Sequence, residues 1–487
     1  MMQYTSTRDD TLRVSAAQAI VTGLAPDGGL FVPMEFPRLT VEDVRGKTYA
    51  RTARLVLERF LGEYSGEFLD EATRAAYDGT RWEDALGRTV PVTGDGLYAL
   101  ELWHGPTSAF KDYALQLMPR LLVEGKRLLG RKETTEILVA TSGDTGKAAL
   151  EGYRDLPGIK IAVFYPNDGT SEIQRLQMAT QQGDNVAVFA VDGNFDDAQT
   201  GVKRVFSDPA VARALAQRGT VLSSANSINW GRLVPQIVYY YFSYVQLLEA
   251  GHIAEGEAVD FCVPTGNFGD ILAGWYAKQM GLPVGRLICA SNSNNVLTDF
   301  LDSGDYDARR AFHKTTSPSM DILVSSNLER LLYHTTGDAS QVAAWMSGLN
   351  ADRRYRIPVS ALQRLTEDFS AGWAGDEQAA KTIRLFFEQH GYLMDPHTAV
   401  AFHAAQRKRT PGRACVVLST ASPYKFPAVV LGALGQDVPA GEFDALHRLE
   451  QYTGIPAPAN LAALQGRPVR FARVIPKGGI GEAALSV

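Results

Sequence analysis

The chain has 487 residues, 45% hydrophobic and 21% charged, and its 48 Lys+Arg against 54 Asp+Glu leave a net charge of −6. Those proportions suit a globular protein of roughly three domain-sized units and exclude a disordered tail, a collagen-like chain and a coiled coil. Mild acidity, with no basic run longer than Arg407-Lys408-Arg409, argues against a nucleic-acid partner, and three scattered cysteines (Cys262, Cys289, Cys415) argue against a disulfide or zinc framework.

In chain order, the opening residues carry no apolar segment behind their charge, so no secretory signal is expected. No run of about 18 apolar residues follows. No membrane span is therefore expected, and the expected setting is the cytoplasm. Residues 1–90 read as a mostly helical N-terminal domain: turns at Ala25-Pro-Asp-Gly-Gly29 and Phe36-Pro-Arg38, then amphipathic helices over Tyr49–Phe60 and 68–77. From 91 to 430 the pattern changes. Runs at 136–141, 159–165, 185–191, 259–263, 287–290 and 414–420 are short, β-branched and almost continuously apolar, as strands buried on both faces of a parallel sheet are. Amphipathic segments (174–182, 197–206, 271–280) lie between them, which predicts an α/β protein. The stretch 300–395 reads as a mostly helical insertion that interrupts the strands, and 431–487 as a C-terminal segment packed on the 91–430 region.

Four motifs could carry chemistry. Val263-Pro-Thr-Gly-Asn-Phe-Gly-Asp270 runs from a buried strand through a Gly-rich turn into a helix. Helix N-terminal N–H groups bind anions, and glycine lets a phosphate approach the backbone closely. Its spacing matches neither the dinucleotide nor the nucleoside-triphosphate fingerprint, and an ordinary strand-to-helix turn would look the same. Thr141-Ser-Gly-Asp-Thr-Gly146 follows another strand and offers three hydroxyls to a carboxylate or phosphate, or only an N-cap cluster. In Ser108-Ala-Phe-Lys-Asp112 and the residues after it, a helix begun near Ser108 puts Asp112, Gln116 and Arg120 on a polar face. Lys111 then falls with Ala114, Leu115, Met118 and Leu122. A desolvated lysine is a nucleophile suited to Schiff-base chemistry, although a lysine stem can also lie along a core with its ammonium in water. Pro119 ends or kinks this helix early. Asn226-Ser-Ile-Asn-Trp-Gly-Arg232 is a polar cluster whose arginine could clamp phosphate or sit on the surface. The eight histidines form no i, i+4 pair, so no metal site is expected.

Together, and in this order, His104-Gly-Pro-Thr-Ser-Ala-Phe-Lys-Asp112, Ala140-Thr-Ser-Gly-Asp-Thr-Gly146, Asn226–Arg232, Gly266-Asn-Phe-Gly-Asp270 and Ser419-Thr-Ala-Ser-Pro-Tyr-Lys-Phe426 resemble the threonine synthase family in its long form. Tyr4-Thr-Ser-Thr-Arg8 and Gly23-Leu-Ala-Pro-Asp-Gly-Gly-Leu-Phe-Val32 resemble that family's N-terminal domain, so the resemblance covers most of the chain. It implies a fold-type-II pyridoxal-phosphate enzyme: two α/β lobes around a cleft and an extra, mostly helical N-terminal domain. Lys111 would then bear pyridoxal 5′-phosphate as a Schiff base. Gly266, Asn267, Phe268, Gly269 and Asp270 would cradle its phosphate, Thr420 would bond the pyridine nitrogen, and Asp144 would lie near the 3′-oxygen. The implied substrate is O-phosphohomoserine, with Thr141, Ser142 and Thr145 toward its carboxylate and Asn226, Ser227 and Arg232 toward its phosphate. The implied products are L-threonine and phosphate. A phospholyase giving 2-oxobutyrate and a non-catalytic cofactor-binding relative are the rival readings. One departure stands out: the family's Ser-Thr-Ala-His-Pro-Ala-Lys-Phe here carries Ser422 for the histidine and Tyr424 for the small residue.

Overall fold

Apolar runs without polar alternation have no face to turn to water, so they end as inner strands covered on both sides. In the computed structural model, which describes residues 2–487 apart from 78, 83–85, 168 and 169, all six predicted runs are strands. They divide between two sheets. One is six-stranded, in the order Phe369–Trp373, Val284–Ser291, Val259–Pro264, Cys415–Ser419, Leu97–Glu101, Arg88–Thr93, and parallel except for the last pair. The other is five-stranded and wholly parallel, in the order Val474–Pro476, Val186–Asp192, Ile159–Pro166, Thr134–Ala140, Thr220–Ser223.

Two expectations change here. The 300–395 stretch is not only an insertion, because Phe369–Trp373 closes one edge of the six-stranded sheet. The C-terminal segment does more than pack on its neighbours, because Val474–Pro476 adds an edge strand to the five-stranded sheet. Both strands are short edge strands, three and five residues long, and such pieces carry too little periodicity to be read from sequence.

Helices Tyr49–Phe60 and Gly66–Ala76 form where expected, each opened by a hydroxyl cap: Thr48 accepts from the Arg51 N–H and Ser65 from the Phe68 N–H. A two-stranded ribbon (Tyr4–Ser6 with Phe31–Pro33) joins them. This N-terminal region is stitched to the rest by buried polar groups that would otherwise be orphaned. Tyr241 donates to the Leu39 carbonyl at 2.9 Å, Asn229 to Ile20 at 2.8 Å and Arg330 to Phe31 at 2.9 Å. Among the described residues, no helix is long and apolar enough to cross a membrane.

Candidate active site

The motifs expected to carry chemistry lie at the carboxyl ends of parallel strands, where open α/β sheets bind ligands. Thr134–Ala140 leads into 141–146, Val259–Pro264 into 265–268, Cys415–Ser419 into Thr420, and Leu97–Glu101 into the loop that delivers Lys111. The helix does not begin near Ser108, whose φ of 58° is left-handed; it begins at Lys111 and stops at Leu115. A second helix, Met118–Leu128, then starts with Pro119 in its first turn. Asp112 and Gln116 do not form a wetted face. Both are buried, and Asp112 accepts from the Thr107 N–H (2.8 Å) and hydroxyl (2.7 Å), which folds the loop back on the helix start.

Lys111 is itself buried. Its Nζ stands 3.7 Å from Asp144 Oδ2 and 4.7 Å from the centre of the Phe110 ring. Burial pushes its pKa down; Asp144 opposes that, while Lys425 and Arg232 add to it. Burial alone would raise Asp144, but Lys425 and Lys111 override it and hold the carboxyl well below the usual carboxylate range. Gln174 Nε2 donates to the same carboxylate at 2.9 Å. Gly143, at φ 152°, makes room for that glutamine: a Cβ there would come within 2.7 Å of the Gln174 side chain.

In the Gly266 loop, Phe268 adopts φ 64° and opens helix Gly269–Met280 with no side-chain cap. The loop's carbonyls are tied from outside: Ser325 donates to Gly266 (2.7 Å), and Asn327 donates to Asn267 through its N–H (3.0 Å) and its Nδ2 (2.9 Å). A Cβ on Gly266 would sit 2.9 Å from the Ser319 carbonyl oxygen. Asp270 turns its carboxyl away to accept from Tyr239 (2.5 Å) and Tyr240 (3.0 Å). Burial pushes it up to about 6, and Oδ2 has no hydrogen-bond partner.

Of the other predicted residues, Thr141 spends its hydroxyl oxygen on the Gly143 and Gly146 N–H groups, both at 3.0 Å, so it organises its own loop. Ser142 and Thr145 are half-buried beside it, Ser227 is half-buried and Asn226 is exposed. Arg232 is buried, donates from Nη1 to the Ala225 carbonyl at 2.7 Å and keeps Nε without a partner; burial pushes its pKa down to about 10. Buried Thr420 follows its strand, its carbonyl accepting from the Phe110 N–H at 2.9 Å. The two departures from the family motif face elsewhere. Ser422 accepts from the Tyr424 N–H at 3.3 Å, and Tyr424 donates to the Ile455 carbonyl. Sequence reasoning missed Lys425, Gln174 and Asn327, each of which touches a site loop from a remote part of the chain. Only Lys425 gave a signal, a cation just behind the last inner strand.

A buried lysine and a Gly-rich helix start at the carboxyl edge of one sheet, with the lysine 3.7 Å from an aspartate at the edge of the other, define a class, that of the pyridoxal-phosphate-dependent enzymes of fold type II; the "Pyridoxal-phosphate dependent enzyme" family matches residues 84–420. "Threonine synthase N terminus" matches 3–77 and "Threonine synthase, C-terminal" matches 398–477. Threonine synthase from Pseudomonas aeruginosa is 40% identical over 464 residues, 93% of this chain and 96% of that protein. Human threonine synthase-like 1 is 39% identical over 90% of this chain but only 61% of its own length, so this chain spans about three-fifths of that relative. A pyridoxal-phosphate-bound threonine synthase from Brucella melitensis superposes with a TM-score of 0.89 at 39% identity, covering 100% of this chain and 99% of that one. The chain belongs to the threonine synthase family. The residues present fit that family's cofactor: the uncapped helix start and the Cβ-free cradle at Gly266 suit a phosphate, and Lys111 is a desolvated amine.

Proposed function

We propose that this chain converts O-phosphohomoserine and water to L-threonine and phosphate. The observation that carries the reading is a desolvated Lys111 flanked by the unpartnered, buried Nε of Arg232 and the uncapped 265–270 loop, which together offer two anion sites around one amine. Gly266, Asn267, Phe268 and Gly269 would hold the cofactor's phosphate through backbone N–H groups, as would Asp270 through its N–H and not its carboxylate. Lys111 would bear the cofactor, Thr420 would meet its ring nitrogen, and Asp144 would face its 3′-oxygen. Bound pyridoxal phosphate supplies an electron sink for charge developing next to the amino group.

The chain's own residues do the rest. Lys111 Nζ takes the proton from the substrate's α-carbon and serves again at the β-carbon, as a positioned amine of lowered proton affinity can. Arg232, with Asn226 and Ser227, holds the γ-phosphate, and its guanidinium gains strength as charge builds on the leaving oxygen. Ser142, Thr145 and the hydroxyl proton of Thr141 face the carboxylate. Phosphate leaves from the γ-carbon, and the proton taken from the β-carbon is delivered to the γ-carbon as the methyl group forms. Water adds its hydroxyl at the β-carbon, and the α-carbon regains its proton. Three free, buried cysteines support a cytoplasmic setting for this chemistry.

Two experiments test the reading. Borohydride should fix pyridoxal phosphate to a peptide containing Lys111, and Lys111→Ala should lose both the label and turnover, the latter by on the order of 10³-fold. Incubation with O-phosphohomoserine should yield threonine; 2-oxobutyrate in its place would show a phospholyase.

A further inference from the structure

Lys425 has no part in the reading above, yet it sits at the centre of the site. The turn Pro423–Lys425, behind the last strand of the six-stranded sheet, delivers it, and its side chain is 0% exposed. A buried ammonium persists only where partners replace its water. Lys425 has two: Asp144 Oδ1 at 2.6 Å, from the five-stranded lobe, and the Thr107 carbonyl at 3.1 Å, in the loop that leads to Lys111. Lys111 Nζ stands 3.7 Å from the other oxygen of the same carboxylate. Two ammonium groups therefore share one buried carboxylate, and the shorter contact belongs to Lys425.

We propose that Lys425 is a positioning residue that sets the proton affinity of Lys111: it is the standing countercharge of Asp144, so the carboxylate is neutralised before Lys111 can claim it. The inference rests on the reading of Lys111 as the cofactor-bearing amine that moves protons. Without Lys425, Lys111 and Asp144 would form a closed buried ion pair, and a lysine held protonated by such a pair cannot serve as a base. With it, Asp144 stays ionised and hydrogen-bonded to Gln174 while Lys111 can give up its proton. The other groups acting on this cluster do not replace Lys425. Arg232 acts on Lys111 in the same sense as Lys425, Asp270 lies in reach of the Lys111 charge but accepts from two tyrosines, and Asp112, in reach of the Lys425 charge, has its oxygens bound to Thr107. Ser422 gains a role as well, since its hydroxyl caps the turn that aims Lys425.

The test is a pH titration of the visible band of the holoenzyme, which reports the proton at the Lys111 nitrogen and not turnover. Removing a cation makes the site hold its proton to higher pH. Lys425→Gln should therefore raise the titration midpoint by about one pH unit or more, and Asp144→Asn should lower it by a similar amount. The double variant should return close to the native value. Should Lys425→Gln fail to fold alone, the double variant compared with Asp144→Asn carries the test: removing Lys425 in the Asp144→Asn background should raise the midpoint toward the native value. A midpoint unmoved by Lys425→Gln, alone or in that background, with only thermal stability lost, makes Lys425 a mere clamp on Thr107 and overturns the inference alone. A native chain that develops no visible band with pyridoxal phosphate overturns the cofactor reading and this inference together.

Discussion

The loops 141–146 and 265–270 look alike in sequence: both leave a parallel strand, both are rich in small polar residues, and both open a helix. They differ in what their backbones bond to. In the first, Thr141 takes up the N–H groups of Gly143 and Gly146, and Asp144 at the helix start brings its own negative charge. In the second it is the carbonyls of Gly266 and Asn267 that are tied, by Ser325 and Asn327, and no side chain caps the helix. A backbone bonded through its carbonyls leaves its donors to an anion; one that consumes its own donors does not. The two loops thus divide the work: the second leaves its backbone donors open to a phosphate, while the first spends its own on Thr141 and acts through side chains, the Asp144 charge beside Lys111 among them.

Four substitutions can break or sharpen that contrast, taken from the largest expected effect. Gly266→Ala puts a methyl against the Ser319 carbonyl, where the loop has no flexible neighbour to yield. Retention of pyridoxal phosphate should fall on the order of 10²-fold in equilibrium dialysis, the 1–3 kcal/mol range of overpacking. If retention is unchanged, the phosphate is not in this cradle. Arg232→Lys removes a planar fork while keeping the charge. It should cut kcat/KM for O-phosphohomoserine roughly 10- to 100-fold, the cost of losing a charged hydrogen bond, with the cofactor band intact. Near-native kinetics would move the substrate phosphate elsewhere, with Lys147, one residue past the 141–146 loop, the next residue to test.

Asp270 gives a pH test of the second loop. Its folded pKa, raised to about 6 from 3.8, means that the protonated form is favoured in the fold. Its contribution is therefore present below the unfolded value and lost as pH rises through about 6. Cofactor-free protein should lose stability relative to Asp270→Asn across that window, by on the order of 2 kcal/mol; parallel melting curves at both ends of the window would count against a strained carboxyl. Smallest, Ser422→Ala should cost about 1 kcal/mol, as the loss of one cap does. A thermal melt measures it, and a change several times larger would show that the turn carrying Lys425 depends on more than this cap.

Much of this protein was written locally. The six apolar runs could only become inner strands, the helices 49–60 and 66–76 carry their own caps, and alternation along the chain dictated parallel sheets. Lys111 stood out because the residues around it are apolar and a lysine among them is desolvated, a property that survived even though its helix starts three residues later than the spacing predicted. What the sequence alone could not supply is which distant side chains meet. Lys425 against Asp144, Asn327 against Asn267 and Gln174 behind Gly143 join segments far apart along the chain, and no periodicity encodes such pairs. Whether a polar residue is a surface group, as at Asn226, or a buried ion, as at Asp144, is likewise decided by what packs over it. Periodicity reports which face of an element is covered; only the tertiary structure brings the covering groups, and hence fixes the charge of the site.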